Sequence, residues 1–352
     1  MIRRFTRAVR VAEIIGAAAA VAILAILLVP RLGAGGDAAD APVIEQPDLN
    51  VAVVPAVDSA GFFVALHEGL FTARGLHVTF IPAVSSETVI DAQALDEPTD
   101  RIDISCGNYV SYIQAQENYD QGERSTSANG AMVAADLDIF AEGSVMGAGA
   151  QGLYVMPGAG IRNLSDLEGK TVGVNAPQNI LYLLVASVLA DNNLSVPGVH
   201  FAYYPLPQMA AMLKAGKISA AVLPEPFASQ AEQSMGVTLL ADLDQGATVA
   251  FPVQGCAVTR QWAAQHPTEL AAFRAAFEQG QEIADTNRTA VEQAMESLPP
   301  GLAVSKLTAA VMALDSYPTG PVDTFRIQRV ADVMKEFLGF PAFNVGSMVN
   351  NG

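Results

Sequence analysis

Positive charge is scarce in this chain: 19 Lys and Arg stand against 36 Asp and Glu, a net charge of −17 over 352 residues. So acidic a surface repels a phosphate backbone, and no Lys/Arg-rich run occurs beyond the first residues, which excludes nucleic acid as a partner. Cysteine is nearly absent. Cys106 and Cys256 are too few for a disulfide scaffold and form no CxxC pair for zinc or redox work. Each falls near the end or core of a predicted strand, which favours two buried thiols over a disulfide. The four histidines, His67, His77, His200 and His266, are scattered without an HExxH motif, and neither GxSxG nor GxxxxGK[ST] occurs. Metal, hydrolase and P-loop chemistry therefore have no support, and the chain reads as a non-enzyme without metal or cofactor. Gly147-Ala-Gly149-Ala-Gln-Gly152 matches GxGxxG. A dinucleotide site needs a helix after that motif, and here a strand is predicted instead, so the segment reads as a crossing between two units.

Apolar residues, by contrast, make up 51% of the chain, enough to offset chain entropy and fold. Arg3, Arg4, Arg7 and Arg10 precede an uncharged run from Ile14 to Val29, the order of an export signal. The run is close to the minimum for a bilayer span, so residues 1–32 are expected to be a signal anchor or transmembrane helix that leaves the remainder on the extracytoplasmic face. If the signal is cleaved, the protein is secreted or periplasmic. Residues 33–48, rich in Gly, Ala, Asp and Pro, read as a flexible linker. Removing residues 1–41 takes away five arginines and three acids, leaving 14 basic against 33 acidic residues and a body charge of −19.

Beyond the linker, short apolar runs alternate with helical patterns. Asn50–Ala56, Leu76–Pro82 and Ile102–Ser105 read as strands, and Phe62–Leu70, Glu87–Leu95 and Tyr109–Gln116 as helices. This order predicts a parallel, doubly wound sheet. A second series follows, with strands at Leu153–Met156, Thr171–Val174, Phe201–Tyr204 and Ala220–Leu223 and helices at Ile180–Asp191 and Met209–Ala215. After one more strand, Gly255–Thr259, the pattern turns to long helices at Pro267–Asp285, Arg288–Ser297, Ser305–Ser316 and Val322–Leu338.

Ligands of open parallel sheets bind outside the carboxyl ends of the strands, where helix N-termini present unpaired N–H groups. The loops there are Asp58-Ser59-Ala60-Gly61, Ser85-Ser86 and Cys106-Gly107-Asn108 in the first unit. In the second they are Asn175-Ala-Pro177-Gln178-Asn179 and Pro224-Glu225-Pro226-Phe227. Each Ser, Asn or Asp alone is read most simply as a helix cap, but five such loops on two units point to a cleft.

Four segments carry a resemblance: DSAGFFVALHEGLFTARGLHVTFIP (58–82), GAGIRNLSDLEGKTVGV (158–174), LKAGKISAAVLPEPFAS (213–229) and RQWAAQHP (260–267). Through them, residues 50–340 resemble the solute-binding proteins of ABC importers, in the group of taurine, aliphatic-sulfonate, nitrate and thiamine-precursor binders. The resemblance implies a two-lobed periplasmic-binding-protein-like fold of type II, each lobe a mostly parallel α/β sheet. One lobe would comprise 49–147 and 253–352 and the other 148–252, with hinge crossings near 146–154 and 248–254. It implies a monomer that captures a small solute by hinge closure and delivers it to permease and ATPase subunits. Ligand contacts carry over to Ser59, Ser85, Ser86, Asn108, Asn175, Asn179 and Glu225. A membrane-anchored sensor or accessory protein, or an enzyme on the same scaffold, is the alternative. Many relatives have Gly-Ser or Gly-Thr where this chain has Pro177-Gln178, and no Lys or Arg lies in any candidate loop. Asp58 and Glu225 then favour a ligand with amino or ring N–H donors, such as an aminopyrimidine, at least as much as a sulfonate. If Glu225 touches the ligand, Glu225→Gln is expected to weaken binding tenfold or more.

Overall fold

The computed structural model describes residues 43–95, 101–125 and 133–352. The expected export helix, and all but the last residues of the expected linker, lie outside the described residues. Among the described residues no helix is long and apolar enough to cross a membrane.

Ten strands form two five-stranded sheets. The first contains β1 (Asp48–Val53), β2 (His77–Pro82), β3 (Ile104–Asn108), β4 (Leu137–Val145) and β10 (Pro252–Thr259), in the order β2-β1-β3-β10-β4. The second contains β5 (Gln151–Val155), β6 (Thr171–Val174), β7 (His200–Tyr203), β8 (Ala220–Pro224) and β9 (Thr238–Asp242), in the order β7-β6-β8-β5-β9. In each sheet one strand, β10 or β5, runs antiparallel to its neighbours, so the mostly parallel character expected from sequence holds. Helices cover both faces of the central strands, and β3 and β8 are buried along their whole length. Two strands escape the sequence patterns, β4 and β9.

Helix α1 (Ala60–His67), two phenylalanines wide, follows β1 and packs on α8 (Pro267–Thr286). A side chain at Gly280 would collide with the Gly61 carbonyl, so glycine sets how closely these helices approach. Around them Phe71 stacks on Phe273 at 4.7 Å and Phe62 meets Phe63 edge-on at 5.4 Å. In the second layer α4 (Ile180–Asp191) has nine buried residues and little polar surface. It is covered by α3 (Tyr109–Asp120) and by α11 (Thr324–Leu338), elements that otherwise flank the first sheet.

The expectation of two buried thiols is overturned. Cys106 on β3 and Cys256 on β10 are directly opposed in the antiparallel ladder and form a disulfide that closes a separation of 150 residues. Adjacent strand positions bring the sulfurs together. Nothing local in the sequence signals that pairing.

The chain leaves the first sheet after Val145, enters the second at Gln151 and returns at Pro252. The GxGxxG segment is this outgoing crossing. Gly147 N–H donates to the Asp315 carboxylate at 3.0 Å and Gly149 N–H to Asp242 at 2.9 Å. The two crossings touch where Met146 N–H donates to the Phe251 carbonyl at 2.8 Å. Arg329 on α11 donates to the carbonyls of Ala247, Val249 and Ala250 on the return crossing, where Ala250 sits at φ 46.

Candidate functional site

The carboxyl ends of the parallel strands in both sheets, and the amino ends of β5 and β10, converge on one cavity of about 30 Å³. The first sheet contributes Val54, Ala56 and Asp58 after β1, Ser86 at the start of α2 (Ser86–Leu95), Gly107 and Asn108 at the end of β3, and Gln254 on β10. The second contributes Gln151 on β5, Asn175, Ile180 and Leu181 after β6, Leu206 at the start of α5 (Leu206–Lys214), and Pro224 closing β8. Of the residues expected from sequence, Asp58, Ser86, Gly107, Asn108 and Asn175 therefore meet at one place.

Their local chemistry follows from the chain. Asn108 ends β3 and caps α3, its side-chain oxygen accepting from Ser111 N–H at 2.9 Å. Its own N–H and side-chain amide donate to the Ser86 hydroxyl at 3.0 and 2.9 Å. Ser59, buried beside Ala60, donates to the Val54 carbonyl at 2.9 Å and fixes the turn that places Asp58. Gln254 reaches across from β10, its amide donating to the Asp58 carbonyl.

The remaining expected residues are placed elsewhere. Cys106 is held in the disulfide, and Ser85 lies buried one residue outside the wall. Asn179 caps α4 and donates to Asn175, while Gln178, at φ 52, faces solvent and accepts from Gln114 across the mouth at 2.9 Å. Phe227 opens α6 (Phe227–Met235), a helix not foreseen, and lines a separate groove. Glu225 turns away from the cavity. Its carboxylate accepts from Ser229 N–H at 3.1 Å, the Ser229 hydroxyl at 2.7 Å and Ala313 N–H at 3.4 Å, and its backbone carbonyl accepts from Val57 N–H at 2.9 Å.

Sequence reasoning missed Gln151, Gln254 and Asp315. The first two were detectable as single amides inside apolar strand runs, where a polar side chain needs a partner or a ligand. Asp315 falls within the helix expected at Ser305–Ser316, which forms only as α10 (Lys306–Val311). Past it the chain bridges Val145 with Ser316 and drives Asp315 into the floor between the crossings.

Burial raises the Asp58 carboxyl to about 7 against the opposing hydrogen bonds of Ser59. Burial, helped by repulsion from Asp58 and opposed by Gly147 N–H and Ser144, raises Asp315 to about 8. Both are protonated in the fold at mildly acidic pH, whereas the unfolded chain releases those protons above its ordinary value of 3.8. Their contribution to stability is therefore complete in acid and is lost as pH rises through about 8. We expect the Tm to be several degrees lower at alkaline than at mildly acidic pH, and Asp315→Asn to remove most of that slope; a flat Tm profile in the parent would refute it.

A family model described as NMT1-like matches residues 43–298. The bicarbonate transport ATP-binding protein of Synechocystis is 26% identical over 253 residues, which cover 69% of this chain; the chain spans about a third of that protein's length, 36%. Among solved structures, the alkanesulfonate-binding protein of Xanthomonas axonopodis pv. citri bound to MOPS superposes with a TM-score of 0.67 at 18% identity, covering 88% of this chain and 99% of that one. The periplasmic nitrate-binding protein of Synechocystis does so with a TM-score of 0.63 at 16% identity, covering 75% and 69%. These likenesses establish the periplasmic-binding-protein fold.

Proposed function

The chain belongs to the NMT1-like family, and we propose that it is the extracytoplasmic solute-binding component of an ABC importer, capturing a small organic solute between two lobes rather than transforming it. The observation that carries this reading is the convergence of both sheets' ligand-binding edges on one cavity, with only two crossings joining the sheets. The lobes are taken as 49–147 with 253–352, and 148–252. Relatives named for alkanesulfonate, nitrate and bicarbonate transport support the role, and the solute is of the aminopyrimidine, sulfonate or similar class. Permease and ATPase subunits are the partners, the protein is monomeric, and the N-terminal segment holds it at the membrane. A ligand that touches both lobes only when they meet stabilises the closed form, which the permease reads.

Protein purified without denaturation is expected to carry its solute, visible as an added mass in native mass spectrometry. Removing that solute should enlarge the radius of gyration in small-angle scattering, and returning it should restore compaction. A profile unchanged between the stripped and reloaded protein would defeat the reading.

A further inference from the structure

We propose that the cleft selects an organic cation, with Asp58 from the first sheet and Gln151 from the second gripping a protonated N–H head group between them. The inference rests on the solute-binding reading and fixes the charge class of its ligand.

Most fully buried carboxylates of this protein meet a counter-charge or several hydrogen-bond donors. Asp103 accepts from Asn50 N–H at 2.8 Å and pairs with Arg101 at 3.0 Å. Glu142 pairs with Arg326 at 2.6 Å and accepts from Asp323 N–H at 2.6 Å. Glu269 takes two backbone N–H groups, from Glu45 and Gln46, and Glu225 takes Ser229 and Ala313. Each of these is compensated, as a desolvated charge must be, whereas Asp315 takes Gly147 N–H on one oxygen and has no partner among the described residues on the other. Asp58, half-buried, is met only by its neighbour Ser59 among the described residues, and it is the carboxyl that lines the cavity.

Across the same cavity Gln151 is 2% exposed and its amide oxygen has no partner. A buried amide left open at a cavity wall has a definite meaning: a ligand atom completes it. The amide can rotate to offer either edge, so Asp58 decides the sign of the ligand. No Lys or Arg stands among the lining residues. An anion there would face an uncompensated carboxyl, while an amidinium or ammonium would supply the missing counter-charge through a charge-assisted hydrogen bond. Leu206 lies in the wall of this cavity and also in that of an adjoining groove of about 260 Å³ that contains Pro55, Pro207, Pro226 and Phe227. That groove suits the apolar body of such a cation.

The groups facing Asp58 are Ser59, Asp315 and Tyr317, none of them cationic. A cation bound to ionised Asp58 must therefore displace a proton at acid pH. Its affinity rises about tenfold per pH unit up to about 7 and then levels. An anion, which requires the protonated acid, follows the opposite slope.

Calorimetric titration of the stripped protein with benzamidine and benzylamine, their neutral analogue benzamide, and methanesulfonate and nitrate, over a pH series, tests this. We expect the two cations to bind at least tenfold tighter than benzamide and the anions at neutral pH, with the rising slope. Asp58→Asn should erase both the preference and the slope while melting no lower than the parent. Gln151→Leu should weaken cation and benzamide alike. Tighter binding of methanesulfonate or nitrate, or affinity that falls above neutrality, overturns the charge assignment and leaves solute binding intact. Absence of binding by any probe overturns the assignment too; if scattering also shows no compaction with the solute that the protein carries, solute capture fails with it.

Discussion

A Cys106→Ser/Cys256→Ser variant is expected to melt roughly 10 °C below the parent, the largest stability change of any we foresee. The bridge closes a separation of 150 residues, and cross-linking so long a loop removes about 5 kcal/mol of unfolded-state freedom in the chain-entropy account. At about 2–4 °C per kcal/mol for chains of this order, that loss becomes the stated shift. Both sulfurs are buried in neighbouring strands, so reductant alone should act slowly on the native protein and fully once denaturant is added. Thiol titration in denaturant without reductant decides the matter first: no free thiol is expected, and two titrating thiols would remove the premise. Cys106 precedes Gly107 and Asn108 of the cavity wall, so the double variant should also bind its solute less tightly.

The second large effect concerns Glu225. Its carboxylate joins the end of β8 to α6 through Ser229, and to the returning chain through Ala313. Beside it the Val57 N–H reaches the Glu225 carbonyl from the other sheet. Burial, against the hydrogen bonds of Ser229 and Ala313, raises its pKa. The residue thus ties the two layers together and does not face the cavity. Glu225→Ala should weaken solute binding tenfold or more, about 1.4 kcal/mol, because closure loses its latch. Glu225→Gln should cost far less, since the amide keeps an acceptor for Ser229. A ligand contact through charge would erase that ranking, with Gln as damaging as Ala. Titrating both variants with the solute recovered from the parent separates the two roles.

The elements legible in the sequence were those whose pattern is set locally. The helix expected at Pro267–Asp285 forms as Pro267–Thr286, and the strand at Thr171–Val174 forms with those bounds. Apolar spacing alone fixes such segments. β4 was not legible, because LDIFAEGSV carries Glu142 inside it; that carboxylate is tolerable in a buried strand only because Arg326 and the Asp323 N–H meet it from α11. Helix α10 ends early for a similar reason, since pairing with Val145 competes with helix continuation after Val311. In the candidate site, Asp58, Ser86, Gly107, Asn108 and Asn175, read from strand-end loops, line one cavity. Gln151 and Gln254 escaped because their side chains gain meaning only from antiparallel strands that return to the same edge. The disulfide escaped for the same reason, being a property of β3–β10 register.

That register also dictates an order of events during synthesis. All five strands of the second sheet lie between residues 151 and 242, whereas the first sheet cannot place β4 beside β3 until β10 has been made. A chain emerging from its N-terminus holds its earliest strands in an unfinished layer, with Cys106 reduced, while the later-made sheet is already complete. The first half to appear is thus the last to mature, and a solute can be held only after β10 has emerged and closed the first sheet. Any truncation before β10 should leave the first sheet with an unpaired edge and the apolar α4 of the second without its α11 cover.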